Sequence, residues 1–249
     1  MKKVNYGFDA PDYTRQAFLI GITLVLAGIA VSYFFSGSFI KYAGYIIILA
    51  GIGALITVLM LISYWLKGKF NVRDMMLSKI KWRGDENVLD IGTGRGFLMN
   101  GAAKRLTSGK VTGIDIWRAE DLSDNSIENT RLNAEAEGVS DRIEIKNEDA
   151  QKMSFADNSF DVILSLLCIH NIEEKDGQRA ACFEAARVLK KGGTVLLADY
   201  LPTHDYAKYL TEAGLTVKSS KSYFKTASFS LMWMVEAVKK VLKEYFVRN

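Results

Sequence analysis

The chain has 249 residues, 49% of them hydrophobic, and a formal net charge of +4. That length holds one full domain plus an appendage, and so small a charge, with no Lys/Arg block, gives no electrostatic case for nucleic acid. Two cysteines (Cys168, Cys182) in no metal-type spacing and only two histidines argue against a zinc site, while unpaired thiols are compatible with a reducing cytoplasm.

Residues 1–16 are polar, with Lys2, Lys3 and Arg15 set against Asp9 and Asp12. Residues 17–35 then run without a charge, break at Ser36-Gly37-Ser38, and are followed by a second uncharged run over 42–66. Each run is long enough to cross ~30 Å of hydrocarbon as a helix. Two in tandem across a short turn disfavour a soluble core helix. A cleaved signal peptide accounts for the first run but not for the second, which ends in the belt residues Tyr64 and Trp65. The reading is a transmembrane hairpin over 17–66. The turn between the runs carries only Lys41, whereas Lys67, Lys69, Arg73, Lys79, Lys81 and Arg83 follow the second. The excess of basic residues outside the turn places both ends, and everything after residue 66, on the cytoplasmic side. Small residues (Gly21, Ala27, Gly28; Ala43, Gly44, Ala50, Gly51, Gly53, Ala54) recur along the runs, either to let the helices pack closely or as ordinary membrane-helix residues. The basic stretch over 67–87, a linker with a short helix from Val72 to Ile80, is placed against anionic headgroups. The bilayer is therefore an expected partner.

From residue 88 onward the chain reads as one soluble domain. Val88, Leu89 and Ile91 form a short apolar strand that stops at three alternate glycines, Gly92, Gly94 and Gly96. Phe97, Leu98, Ala102, Ala103 and Leu106 follow at helical spacing. A dinucleotide fingerprint needs its third glycine where Phe97 stands, so that pattern fails. Asp90, two residues before the first glycine, would repel a pyrophosphate and suits a ligand bearing an ammonium group. The segment Asp90-Ile91-Gly92-Thr93-Gly94-Arg95-Gly96 resembles motif I of the class I S-adenosylmethionine-dependent methyltransferases. The resemblance extends over about residues 71 to 237. It implies an α/β, Rossmann-like, seven-stranded, mostly parallel sheet with helices on both faces, here preceded by two transmembrane helices.

A second strand, Lys110 to Ile116, ends in Asp115, twenty-three residues beyond Gly92 (115 − 92). A carboxylate there accepts from both hydroxyls of a ribose. Ile116 and Trp117 come next, as packing against an adenine or as a core residue and a loop aromatic. Ser126 to Glu137 reads as a helix ending at Gly138, and Arg142 to Asn147 as the third strand. Asp149 and Ala150 match the family position that meets the adenine; a helix cap is the alternative for Asp149. The stretch Phe155 to Ser165 resembles a turn and fourth strand common in small-molecule methyltransferases, with Asp157 and Asp161 as turn and strand-entry residues. By the same resemblance Ser165 lies under the sulfonium. Thr93 joins the glycines in the cofactor loop.

His170, in Cys168-Ile169-His170-Asn171, follows the fourth strand where the crevice should open. With an unperturbed pKa near 6.5 it is the candidate general base, or else a loop-positioning residue. Leu189 to Gly193 reads as a turn before a fifth strand, Gly193 to Ala198. Asp199 and Tyr200 then line the acceptor side. A helix is read over 203–213 and two last strands over 215–221 and 227–237. The tail places Val238, Val241, Leu242, Tyr245 and Phe246 on one helical face, to lie on a bilayer or to cover the sheet edge. Amino-methylating nucleic-acid enzymes of the family carry Asn/Asp-Pro-Pro-Tyr/Phe after strand four, whereas this chain has Ser165-Leu166-Leu167-Cys168. The expectation is a membrane-anchored methyltransferase using S-adenosyl-L-methionine on a small, membrane-soluble acceptor such as a quinone, isoprenoid or lipid. Its rivals are a soluble-metabolite or membrane-protein acceptor, a non-catalytic cofactor-binding protein, and a nicotinamide-dependent reductase.

Overall fold

The computed structural model describes residues 4–8, 11–35, 37–118, 122–200, 203–225 and 230–241. It divides into two compact units. One comprises residues 8–71 with 225–230, the other residues 1–7, 72–224 and 231–249, so the first is inserted near the start of the second.

The inserted unit is a helical hairpin. Helix α1 is Pro11–Phe34 and α2 is Ser38–Ser63; both are long and apolar enough to cross a membrane. The buried residues are Thr14, Gly21 and Gly28 on α1 and Gly44, Gly51 and Val58 on α2, each set spaced by seven. A seven-residue repeat keeps one seam facing the partner helix. Along that seam the backbones touch. A Cβ at Gly28 would stand 2.6 Å from the Gly44 carbonyl oxygen, and one at Gly51 would stand 2.8 Å from that of Gly21. Away from the seam large apolar side chains point outward, including Phe18, Leu26, Leu49 and Leu59. A π-helical turn, Tyr64–Gly68, leads from α2 into α3, Lys69–Ser78.

The second unit is built on a seven-stranded sheet in the order β3-β2-β1-β4-β5-β7-β6. The strands are β1 (Asn87–Ile91), β2 (Lys110–Asp115), β3 (Ile143–Asn147), β4 (Phe160–Leu166), β5 (Leu189–Asp199), β6 (Thr216–Lys225) and β7 (Ser230–Val238). The first five pair in parallel and β7 runs antiparallel to β5. The central strands read as apolar runs because helices cover both faces of such a sheet; Leu89, Ile163, Leu164, Val195 and Leu196 are fully buried. The helices are α4 (Phe97–Ala103), α5 (Ile127–Glu137), α6 (Lys175–Val188) and α7 (His204–Glu212). The chain steps outward from β1 to β3 and then returns to lay β4 beside β1. The crevice between those two carboxyl ends is the switch point where open α/β sheets bind ligands.

Four local features differ from the sequence expectation. Helix α6 falls where no element is read. Its buried side includes Ala181, Cys182, Ala185 and Ala186, small residues that recur at helical spacing and let the helix pack closely. Strand β5 begins at Leu189, not Gly193, because Leu189 pairs with Phe160 before a register shift carries residues 190–193 out as a bulge. The helix leading into the domain starts at Lys69 and stops at Ser78. Val238 ends β7 instead of opening a tail helix, since Lys239 continues the ladder with Gly192 and Gly193. The remaining tail positions Leu242, Tyr245 and Phe246 lie outside the described residues.

Candidate active site

The glycine loop leaves β1 with its backbone already committed. Gly92 N–H and Thr93 N–H both donate to the Ile114 carbonyl at 2.9 Å, which ties the loop to β2. Gly92, Gly94 and Gly96 have φ of 71°, 51° and 80°, in the left-handed region that side chains disfavour. Gly92 is also sterically bound to be glycine, because a Cβ would stand 2.2 Å from Cys168 Sγ. The loop of the cofactor candidates and the loop that carries His170 therefore meet at this contact.

Asp90 is 1% exposed, and its Oδ2 has no hydrogen-bond partner among the described residues. Burial pushes its carboxyl up to about 7, the Thr93 hydroxyl and the Met99 backbone pull the other way, and the nearby Asp115 charge adds to the rise. A buried acceptor left open is costly unless something donates to it. An ammonium group does so and supplies the countercharge. Asp115, at the end of β2, has each oxygen engaged once: Oδ2 accepts from Gly94 N–H at 2.8 Å and Oδ1 from Trp117 N–H at 2.7 Å. A carboxylate retains further acceptor sites beyond those two. Trp117 is held at φ 59°, a strained conformation of the kind that clusters at ligand sites. Ile116 beside it is exposed.

Asp149 sits at the same edge, since Glu148 N–H donates to the Asp115 carbonyl at 3.2 Å. Asp149 Oδ1 accepts from the Gln151 backbone at 2.8 Å, and Ala150 packs into the core. Asp90, Thr93, the three glycines, Asp115, Ile116, Trp117, Asp149 and Ala150 thus gather around the carboxyl ends of β1 to β3. Ser165 is placed otherwise. It is buried and its Oγ donates to the Ile91 carbonyl at 3.0 Å, so the hydroxyl ties β4 to β1 instead of facing the crevice. Thr93 is buried as well, packed against Gly113.

On the other side of β1, the 3-10 turn Ile169–Asn171 presents His170. Its Nδ1 lies 2.9 Å from the carboxylate of Asp199, which is 1% exposed at the end of β5. Asp199 also accepts from Tyr206 O–H at 3.2 Å and from Tyr200 N–H at 2.8 Å. Burial pushes the Tyr206 phenol above its ordinary range, so it stays a donor to Asp199. A carboxylate only accepts, so in the neutral ring Nδ1 carries the hydrogen and Nε2 is the acceptor. The Tyr200 ring stands edge-on to the imidazole, centroids 4.7 Å apart. Trp233 lies opposite Asp199 in the β5–β7 register, with His204 edge-on to it at 5.4 Å. Tyr206, Trp233 and His204 are the residues that sequence reasoning did not single out. They lie on α7 and β7, and the fold brings Tyr206 and Trp233 to Asp199, the partner of His170.

With that geometry in hand, the chain can be set beside known proteins. Residues 88–193 match the family model described as a methyltransferase domain. A sterol 4-C-methyltransferase (strm-1) of Caenorhabditis elegans is 36% identical over 126 residues, covering 49% of this chain and 34% of that protein. A demethylmenaquinone methyltransferase of Bacteroides fragilis is 32% identical over 114 residues, covering 46% of this chain and 43% of that one. The chain thus spans less than half the length of these curated relatives. Among solved structures, a geranyl diphosphate methyltransferase in complex with S-adenosylmethionine shares the fold. Its TM-score is 0.54 at 14% identity, over 69% of this chain and 85% of that one. Residues 88–193 are thus similar to a methyltransferase domain, and the sheet unit shares its fold with solved methyltransferases.

Proposed function

We propose that the protein is a membrane-anchored methyltransferase that moves the methyl group of S-adenosylmethionine to a small lipophilic acceptor, a quinone, isoprenoid or lipid. The observation that carries this reading is Asp90, a buried carboxylate with one oxygen unpartnered beneath three left-handed glycines. In it Asp90 takes the ammonium of the cofactor's amino-acid end, Asp115 its ribose hydroxyls, Asp149 and Ala150 its adenine edge, and Ile116 and Trp117 the adenine face. When bound, the cofactor supplies a methyl group already activated on a sulfonium. What remains for the chain is alignment, which can contribute ~7–11 kcal/mol, and removal of the acceptor's proton. His170 Nε2 takes that proton from a hydroxyl or acidic carbon. Asp199 holds the ring in the tautomer that leaves Nε2 free and stabilises the imidazolium that forms. Tyr200 and Trp233 offer aromatic faces to an apolar acceptor.

The membrane half of the reading rests on the hairpin. A soluble core helix hides its apolar surface, whereas only 11% of each apolar window is buried here. Hydrocarbon is the solvent in which such a surface costs nothing. Basic residues outside the turn put the sheet domain on the cytoplasmic side. The named activities of the sterol and demethylmenaquinone relatives add support for an acceptor that dissolves in that bilayer.

The test is to incubate membranes carrying the protein with methyl-labelled cofactor and separate the products. Label in the organic phase supports the proposal. Label in protein or in the aqueous phase redirects it to a membrane-protein or metabolite acceptor. Cofactor binding without any transfer would leave a non-catalytic binding protein.

A further inference from the structure

The chain that leads into the first apolar helix packs on the sheet domain, against the outer wall of the glycine loop. Asn5 and Asn133 form a reciprocal pair: Asn5 N–H donates to Asn133 Oδ1 at 2.9 Å, and Asn133 Nδ2 donates to the Asn5 carbonyl at 2.8 Å. The same Nδ2 lies 2.9 Å from the carbonyl of Arg95, inside the loop. One helical turn earlier Thr130 Oγ1 donates to the Gly94 carbonyl at 2.7 Å. Two loop carbonyls that face away from the crevice are thereby held by α5, and α5 is held by Asn5.

Tyr6 fastens the same wall. It is 7% exposed, its hydroxyl donates to Glu137 Oε1 at 2.7 Å and accepts from Asn100 Nδ2 at 3.4 Å. Its ring meets Phe97, the first residue of α4, edge-on at 5.0 Å. The hydroxyl thus bridges α4 and α5, the two helices between which the glycine loop opens. Gly7 follows at φ 69°, where a Cβ would stand 2.9 Å from Leu122 Cδ1 and 3.1 Å from Arg95 Cδ. Leu122 in turn lies 3.0 Å from the Cβ position of Gly94. Residues 5 to 7 therefore reach the loop by three separate routes, one polar, one aromatic and one steric.

We infer that residues 4–7 are a strap that sets the shape of the cofactor loop, with Tyr6 and Asn133 as positioning residues for cofactor binding. This rests on the reading of the loop as the S-adenosylmethionine site. The physical reason is that a loop built on left-handed glycines has a large conformational freedom to lose on binding, and the strap removes part of it beforehand. Neither residue touches the reacting atoms. Their effect is on affinity, not on the proton transfer at His170.

The experiment uses the full chain in lipid nanodiscs. Three proteins are compared: the unaltered chain, Tyr6→Phe, and a variant with residues 4–7 replaced by Gly-Ser-Gly-Ser, which keeps the length before α1. Calorimetric affinity for S-adenosylmethionine and amide exchange of the ligand-free protein are measured on each. The replacement should weaken cofactor affinity about tenfold and Tyr6→Phe about threefold. In both, amides 92–98 should exchange faster while those of β4 and β5 do not change. A merely structural role would speed exchange throughout the sheet and leave relative affinity intact. Unchanged affinity together with unchanged exchange at 92–98 overturns the strap. If the replacement fails to fold, Tyr6→Phe, which removes one oxygen, decides by the same two readouts. An unaltered chain that binds no cofactor refutes the reading of the site instead, and exchange in the ligand-free protein still tests the strap.

Discussion

At the scale of single residues, the role proposed for Asp90 ties cofactor affinity to pH. Its carboxyl is raised to about 7 by burial. Between the ordinary carboxylate range and that value, the folded protein holds a proton that the unfolded chain has released. Ligand-free stability therefore falls as pH rises from about 4 to 7 and levels off above. Binding an ammonium requires the ionised form, so cofactor affinity should run the opposite way. It should drop about tenfold per pH unit below 7 and stay flat above it. Calorimetric titration at several pH values checks this, and Asp90→Asn should remove the slope while weakening affinity at pH 8 ten- to hundredfold. In the proposed mechanism His170 is the base and Asp199 its orienter, and two variants separate the roles. His170→Ala should lower kcat by ~10²–10⁴-fold with little change in cofactor affinity. Asp199→Asn leaves the imidazole in place but loses the preference for hydrogen on Nδ1. It should cut kcat and shift the pH-rate profile, a change that lost packing alone would not cause.

At the scale of elements, two glycine sets make opposite demands. The loop glycines need unusual backbone angles, and Gly92 also needs room. Gly92→Ala should cost about 1–3 kcal/mol from the left-handed φ alone, plus the collision with Cys168. Thermal unfolding of the double variant with Cys168→Gly should recover only the steric part. The hairpin glycines have ordinary helical angles and need only closeness. Gly44→Val should force the helices apart, because a Cβ there stands 2.8 Å from the Gly28 carbonyl oxygen. Gly53→Ala, whose Cβ meets nothing within 4 Å, should be neutral or slightly stabilising. Disulfide crosslinking between cysteines placed at Val25 and Ile48 reads out both, and should fail only in Gly44→Val.

The elements also show which parts of the fold a linear reading reaches. The strand–glycine–helix passage at Val88 to Leu106 and the cap at Ser126 lie within a few residues of their own signals. Ser126 Oγ accepts from Asn129 N–H at 3.2 Å, a bond closed inside one turn. Helix α6 is legible in the sequence as well: Ala181, Cys182, Ala185, Ala186 and Val188 recur at helical spacing, and only the small size of these side chains makes the signal faint. The early start of β5 depends on Phe160 pairing with Leu189, a contact across the sheet that no window of ten residues contains.

At the scale of the molecule, the hairpin and the sheet domain divide the proposed labour. In that proposal the first keeps the enzyme where lipophilic acceptors dissolve and the second carries the chemistry. Full extraction of the protein by alkaline carbonate would sink the membrane half of the proposal while leaving the domain's class untouched. Labelling by an impermeant maleimide should reach a cysteine at Lys41 from outside intact cells, and one at Lys152 only after permeabilisation.

Local order alone decided the two apolar runs, the acid ahead of the glycines and the acid ending β2, because each arises from neighbours in the chain. Tertiary structure decided what those acids face. It turned the Ser165 hydroxyl inward to Ile91, left one oxygen of Asp90 unpartnered among the described residues, and brought Asp199 to His170 and Tyr206 to Asp199. It also laid residues 5 to 7 on the glycine loop, 128 residues from the Asn133 that holds them. Hydrogen bonds over such separations are set by sheet order and burial, and a carboxylate's neighbours exist only once the chain has folded around it.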